Sequence, residues 1–204
     1  GLRGGHSGVD IHQNHANAVR VLARMLAGTT ASGAPVPPQR LIQFEAGSRR
    51  NAIAREAFAL TAGPAGSREI LRGLAEEVRA ELIGAGETNC RIEVEATDAT
   101  RSAALSEADS ARVLRAILGL PHGVLAMVPE MPGLVQTSNN VATAQLRPTE
   151  DGRLNVTVGC MARSSVLAQA REVVAQIQAV GELAGAEVTA GNPYPGWRPN
   201  VNSP

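Results

Sequence analysis

Between residues 154 and 163 every second side chain is small or apolar: Leu154, Val156, Val158, Cys160 and Ala162 alternate with Asn155, Thr157, Gly159, Met161 and Arg163. Side chains in a strand point to opposite faces in turn, so this segment can bury one face and must leave the other polar. A helix pattern follows at once over residues 166–184, with Val166, Ala170, Val173, Ile177 and Val180 on one side. A one-faced strand and a one-faced helix satisfy each other by packing as two layers.

The rest of the chain extends that pattern. Leu41–Ala46, Glu56–Ala62, Val124–Val128 and Leu134–Leu146 read as strands, and Glu187–Ala190 as a last short one. Cys90, Ile92, Val94 and Ala96 alternate with Arg91, Glu93 and Glu95, which predicts a further half-buried strand. Helices are expected from Asn14, as N-cap, to Leu26, from Ser67 to Ile83, and from the capping box Ser106-Glu107-Ala108-Asp109 to Leu118. The order in the first part is β-α-β-β-α-β, the split pattern of ferredoxin-like domains. The expected fold class is therefore α+β: a two-layer sandwich, mainly antiparallel sheet with helices on one face, a ferredoxin-like first half and a similar second half. One domain over 1–204 is expected, with sub-halves 1–98 and 105–191. The proline-rich stretch 192–204 reads as a tail crossing a surface or entering another domain.

Composition narrows the function. Basic and acidic residues number 19 each, so neither a nucleic-acid nor a membrane-surface partner is expected. Aromatics at 2% leave no base-stacking platform, and no apolar run approaches the roughly 20 residues of a membrane span. Two cysteines, Cys90 and Cys160, are no disulfide framework and fit a cytoplasmic protein with small buried thiols. His12 and His15 are three apart but lack accompanying carboxylates, and neither HExxH nor CxxC occurs. No metal is therefore expected on this chain. Nucleophile motifs are missing too.

Three polar groups remain as candidates. His6 lies in Gly4-Gly5-His6-Ser7-Gly8, where backbone can come close to a ligand. Asn51 heads a turn and can both donate and accept. Arg163 ends a strand on the face opposite its apolar set, and a guanidinium suits bidentate capture of a carboxylate. Taken singly, each also fits an ordinary surface residue.

The motifs together resemble a known family. Gly1-Leu2-Arg3-Gly4-Gly5-His6-Ser7-Gly8 with Ile11-His12 is similar to the opening of the lid domain in bacterial aminoacyl-histidine dipeptidases. These are zinc metallopeptidases related to carnosinases, carboxypeptidase G and acetylornithine deacetylase. The likeness continues through Arg50-Asn51-Ala52-Ile53-Ala54-Arg55-Glu56-Ala57-Phe58-Ala59, Gly133 to Val141, Arg163-Ser164, Tyr194 to Pro199 and Asn202-Ser203-Pro204. It departs at Ala54, Gln136 and Asn139, where the family usually has Pro, Glu and Leu.

The resemblance implies a lid inserted into a catalytic domain of the same polypeptide, which would hold two zinc ions and a glutamate base. None of those ligands is expected within 1–204, and the fragment alone is expected to be inactive. The chain would begin just past one part of the catalytic domain and stop before its resumption. By the same resemblance His6 would stabilise the oxyanion or grip the substrate carbonyl, and Asn51 and Arg163 would hold the carboxylate of an Xaa-His dipeptide. Thr137 and Asn140 would make weaker contacts. Dimeric relatives bring the equivalent of His6 into the partner's site, whereas a lid with two similar halves can mimic that dimer in one chain; the sequence leaves both open. The alternatives are a non-enzymatic dimerisation module, a stand-alone ligand-binding domain, or the lid of a related carboxypeptidase or deacylase.

Overall fold

The computed structural model describes residues 1–28, 30, 33–97 and 103–191. The tail 192–204, and most of the stretch between the two expected sub-halves, lie outside the described residues. Eleven elements concern the site and its support: β1 (Gly5–His6), α1 (Ala18–Ala27), β2 (Arg40–Ala46), β3 (Ala52–Ile53), β4 (Ala57–Ala62), α2 (Ser67–Gly84), α3 (Glu107–Gly119), β5 (Gly123–Met127), β6 (Val135–Pro148), β7 (Leu154–Ser164) and α4 (Leu167–Leu183).

The long strand β6 organises the sheet. One edge pairs with β7 from Pro148 against Leu154 to Thr137 against Ser164. The other edge is shared, with β2 opposite residues 144–146 and β5 opposite residues 135–139. β4 adds outside β2, and every pairing is antiparallel. Strands from 1–98 and from 105–191 thus join one sheet.

On the edge of β6 away from β7, between β2 and β5, no strand among the described residues lies beside the backbone of Val141, and side chains fill the gap. Val141 N–H donates to His122 Nδ1 at 3.2 Å, and Asn17 Nδ2 donates to Val141 O at 2.8 Å. Left unpaired, each buried group would cost about 1–3 kcal/mol.

The pleat sorts residues as alternation requires. Ala59, Phe44, Leu146 and Val156 stand in register on one face, and Phe58, Glu45, Gln145 and Thr157 on the other. Phe44 and Leu146 are 2% and 1% exposed, Phe58 54%. The first face carries the helices, and its core draws on Val19, Ala23 and Met25 of α1, Leu71, Leu74 and Val78 of α2, and Leu114 and Ile117 of α3. Burying a residue of this size stabilises by roughly 1.5–3 kcal/mol. The architecture is α+β, mainly antiparallel, with helices over one face, as expected. Leu154, Val156, Val158 and Cys160 pack inward, as do Val173, Ile177 and Val180 of α4. The capping box is present, with Ser106 Oγ accepting from Asp109 N at 3.0 Å.

Three expectations are corrected. The first helix begins at Ala18 with Asn17 as its cap, accepting from Arg20 N, because Asn14 is left-handed (φ 53°) after a single 3-10 turn. Cys90–Ala96 forms no ladder, although Cys90 is buried and Ile92 and Val94 pack on the core. Alternation reports one-sided burial of extended chain, and a chain lying against a core satisfies it without a strand partner. Glu187–Ala190 is likewise outside any strand.

Candidate functional site

A two-stranded ribbon, not expected from the sequence, builds the site. β1 and β3 pair antiparallel, Gly5 with Ile53 and His6 with Ala52, and Ser7 N–H donates to Asn51 O at 2.8 Å. Residues 46 apart in sequence, His6 and Ala52, are thereby made neighbours. After His6 the chain turns tightly, with Val9 N and Asp10 N both donating to His6 O at 3.1 and 2.8 Å.

Asp10 closes this loop. Its Oδ2 accepts from His6 N at 2.7 Å and its Oδ1 from Gln13 Nε2 at 2.9 Å. Two glycines make room for it. Gly5 has φ +142°, and a Cβ there would lie 2.8 Å from Asp10 Cβ, a separation real atoms do not tolerate. A Cβ on Gly8 would lie 3.1 Å from His6 Cε1 and 3.3 Å from Arg163 Cζ, so Gly8 lets the imidazole and the guanidinium close on one point.

The turn bearing Asn51 is held from beneath. Ala52 N–H donates to Arg49 O at 3.2 Å, while Asn140 Nδ2 donates to Ala52 O at 2.7 Å and reaches Arg50 O at 3.4 Å. Asn140 is 1% exposed and also accepts from Asn17 Nδ2 at 3.3 Å. Its amide is consumed by the backbone it supports. Asn140 opposes Met161 and Ser138 opposes Arg163, so these four share one face of the sheet. Arg49, Arg50, Asn51, Met161 and Arg163 line a shallow open depression. Three arginines and one asparagine line it with no carboxylate among them, a donor set whose chemistry suits an anion.

The structure therefore brings together His6, Asn51 and Arg163, with Asn140 supporting the Asn51 turn. Thr137 is not part of the group. It pairs with Ser164 on the helix side of β6, is 2% exposed, and is hydrogen-bonded to Ser164 Oγ at 2.8 Å and to Gln169 Oε1. Of the residues that sequence reasoning had not named as candidates, Met161 had a signal, since it sits two before Arg163 on the same strand face. Arg49 and Arg50 had one too, as the residues leading into the Asn51 turn. Asp10 had none, because its role depends on where the loop turns.

The other histidines stand apart. His12 is exposed, and the His15 ring bonds to Gly4 O. His122 is half-buried; desolvation, helped by the charge on Arg20, lowers its pKa to about 4, so it is neutral while accepting from Val141 N. Both His15 and His122 line a separate concavity of about 360 Å³ with Arg20, Arg24 and Glu81. Burial pushes the Cys160 and Cys90 thiols above their usual range, which makes them poor nucleophiles. Among the described residues no group of three or more His, Cys, Asp or Glu could hold a metal.

Comparison with known proteins gives consistent matches. Residues 1–84 match the family described as peptidase dimerisation domain. The whole chain is 35% identical to the cytosol non-specific dipeptidase of Escherichia coli (strain K12), spanning 41% of that protein. The crystal structure of aminoacylhistidine dipeptidase from Vibrio alginolyticus superposes with a TM-score of 0.85 at 37% identity, over all of this chain and 40% of that one. The chain thus spans about two fifths of the length of these relatives.

Proposed function

We propose, from the match of residues 1–84 to the peptidase dimerisation domain family, that this chain is the substrate-clamping lid of a metal-dependent dipeptidase acting on Xaa-His dipeptides. The observation that carries this reading is the convergence of His6, Asn51 and Arg163 around Gly8 and the 49–51 turn. A dipeptide carries its free carboxylate close to its one scissile bond. Arg163 and Asn51 hold that carboxylate, and His6 donates to the carbonyl oxygen as negative charge develops on it. A clamp of fixed span selects short substrates and orients the bond, and closure excludes bulk water.

The two zinc ions of the reading would be held elsewhere in the polypeptide. The described residues of this chain do not fit a metal site, and what they do is derived without one. Partners follow from the same reading: the catalytic domain, the dipeptide, and a second copy. Self-association is supported by β7, an 11-residue strand whose only ladder partner among the described residues is β6. An open edge of that length is a template for pairing. A cytoplasmic location belongs to the reading as well, in keeping with the cytosol relative; no described helix is long and apolar enough to cross a membrane.

The test is hydrolysis of a histidine-containing dipeptide with added zinc, by this chain alone and by the chain combined with a catalytic domain. The chain alone should be inert and the combination active. Arg163→Ala or His6→Ala should then lower kcat/KM on the order of 10²–10³-fold. Activity of the chain alone, or a combination indifferent to both substitutions, overturns the reading.

A further inference from the structure

We propose that Gly8 and Asp10 are positioning residues for His6, holding its imidazole so that Nδ1 presents its lone pair to the Gly8 amide and the proton of the neutral ring lies on Nε2. The inference rests on the reading of His6 as the group that meets the substrate carbonyl.

The Gly8 amide donates to His6 Nδ1 at 3.2 Å. A backbone N–H can only donate, so the nitrogen it meets must present a lone pair. In a neutral ring the proton then resides on Nε2, and a doubly protonated ring loses the Gly8 bond. Nε2 is left as a single donor, the function needed to meet an oxygen gaining negative charge. A donor oriented before substrate arrives requires no reorganisation during the reaction.

Asp10 acts through the backbone. It takes the N–H of His6 on Oδ2 and gives its own N–H to the carbonyl of His6, so both peptide groups of that residue are held by one partner. Gln13 Nε2 fixes the other oxygen, Oδ1, and stops the carboxylate from rotating. The geometry leaves no space for a Cβ at Gly5 beside Asp10 or, without displacement, at Gly8 beside the ring. Two hydrogen-bonded turns and two glycines thus converge on the orientation of one imidazole.

Nitrogen-15 spectra of the histidine rings in this chain test it. Wild type should show His6 with the shift of an unprotonated Nδ1 and a protonated Nε2. Asp10→Asn, which keeps an acceptor for His6 N–H, should preserve that signature. Asp10→Ala should move both nitrogens toward the averaged values of a free, exchanging ring. Gln13→Ala, milder because it releases only Oδ1, should move them in the same direction. A wild-type His6 carrying its proton on Nδ1, or no movement in either alanine variant, overturns the proposal.

In the combination with the catalytic domain, Asp10→Ala should lower kcat on the order of 10²-fold with KM nearly unchanged, and Asp10→Asn should restore most of it. The two readings fail separately. If His6→Ala leaves hydrolysis intact, the clamp is wrong while the ring spectra still decide the tautomer. If His6→Ala abolishes hydrolysis and Asp10→Ala changes neither spectra nor kcat, positioning by Asp10 is wrong and the clamp stands.

Discussion

Along β6, Ala144 and Leu146 on one hand and residues 137–140 on the other are buried for opposite reasons. Ala144 and Leu146 are 1% exposed because the helices cover an apolar face. Thr137, Asn139 and Asn140 are 2%, 0% and 1% exposed, yet each is polar and each spends its side chain on a named partner: Ser164 and Gln169, Pro121 O, and the carbonyls of the Asn51 turn. The first region is held by area, which is non-directional and tolerates a change of shape at equal volume. The second is held by geometry, in which a donor moved by an ångström is a donor lost. The candidate site is built on the second region, which suits it, since a clamp needs fixed directions more than it needs bulk.

If the distinction is right, the largest loss of stability comes from volume in the apolar half. Leu146→Ala should cost about 2–5 kcal/mol in urea unfolding, while Leu146→Met should cost less than about 1.5 kcal/mol. Equal losses for the two would break the comparison, because they would mean that Leu146 is held by shape as specifically as the amides are.

The seam between the halves carries the next effect. His122 is neutral in the folded protein, with its pKa at about 4, below the ordinary 6.5, and the unfolded chain takes up the proton first. Stability is therefore full above pH 6.5 and falls as pH drops toward 4, by about 3 kcal/mol from this group. His122→Asn keeps an acceptor near Val141 N and removes the titration. The difference between parent and variant, measured by urea unfolding at pH 7 and pH 4.5, should show the acid loss in the parent alone.

Asn140→Ala comes third. It frees the carbonyls of Arg50 and Ala52 and should cost about 1–3 kcal/mol. It should also speed hydrogen exchange at the Ala52 amide, which closes the turn onto Arg49 O. Asn140→Leu, which keeps the branch at Cγ but has no amide, should do no better. If it does, burial alone holds the polar half and the comparison collapses.

What could be read in the sequence follows the same division. Leu154, Val156 and Val158, or Val173, Ile177 and Val180, announce themselves because burial by area leaves a periodic trace. The ribbon of β1 and β3 leaves none: Gly5, His6, Ala52 and Ile53 pair through backbone atoms, which every residue possesses. Asn17 rather than Asn14 caps α1, a choice made by the left-handed turn at Asn14 and not by residue type. The placement of Thr137 was legible, since residues 137 and 140 are an odd number apart and a regular strand sends them to opposite faces. His6, Asn51 and Arg163 could be named from motif and resemblance, but their meeting point at Gly8 depends on the fold.

The smallest effect lies just past the apolar half, where the strand runs into water. Arg147, next to Leu146, forms an ion pair with Glu45 at 2.7 Å, with side chains 60% and 45% exposed. The distance equals that of the Asn140–Ala52 bond in the polar half, so a tally of bond lengths would rank the two alike. Solvent reverses that ranking. Water screens both charges, and ordering two long side chains costs entropy, so Arg147→Gln should lower the free energy of urea unfolding by no more than about 1 kcal/mol, and by less as salt is added. Set beside Asn140→Ala, this separates the two variables that a contact list confounds. If the exposed pair cost as much as the buried amide, short distance would be the determinant along β6; a loss several times smaller assigns the difference to the surroundings, which is what distinguishes the polar half of the strand from an ordinary polar surface.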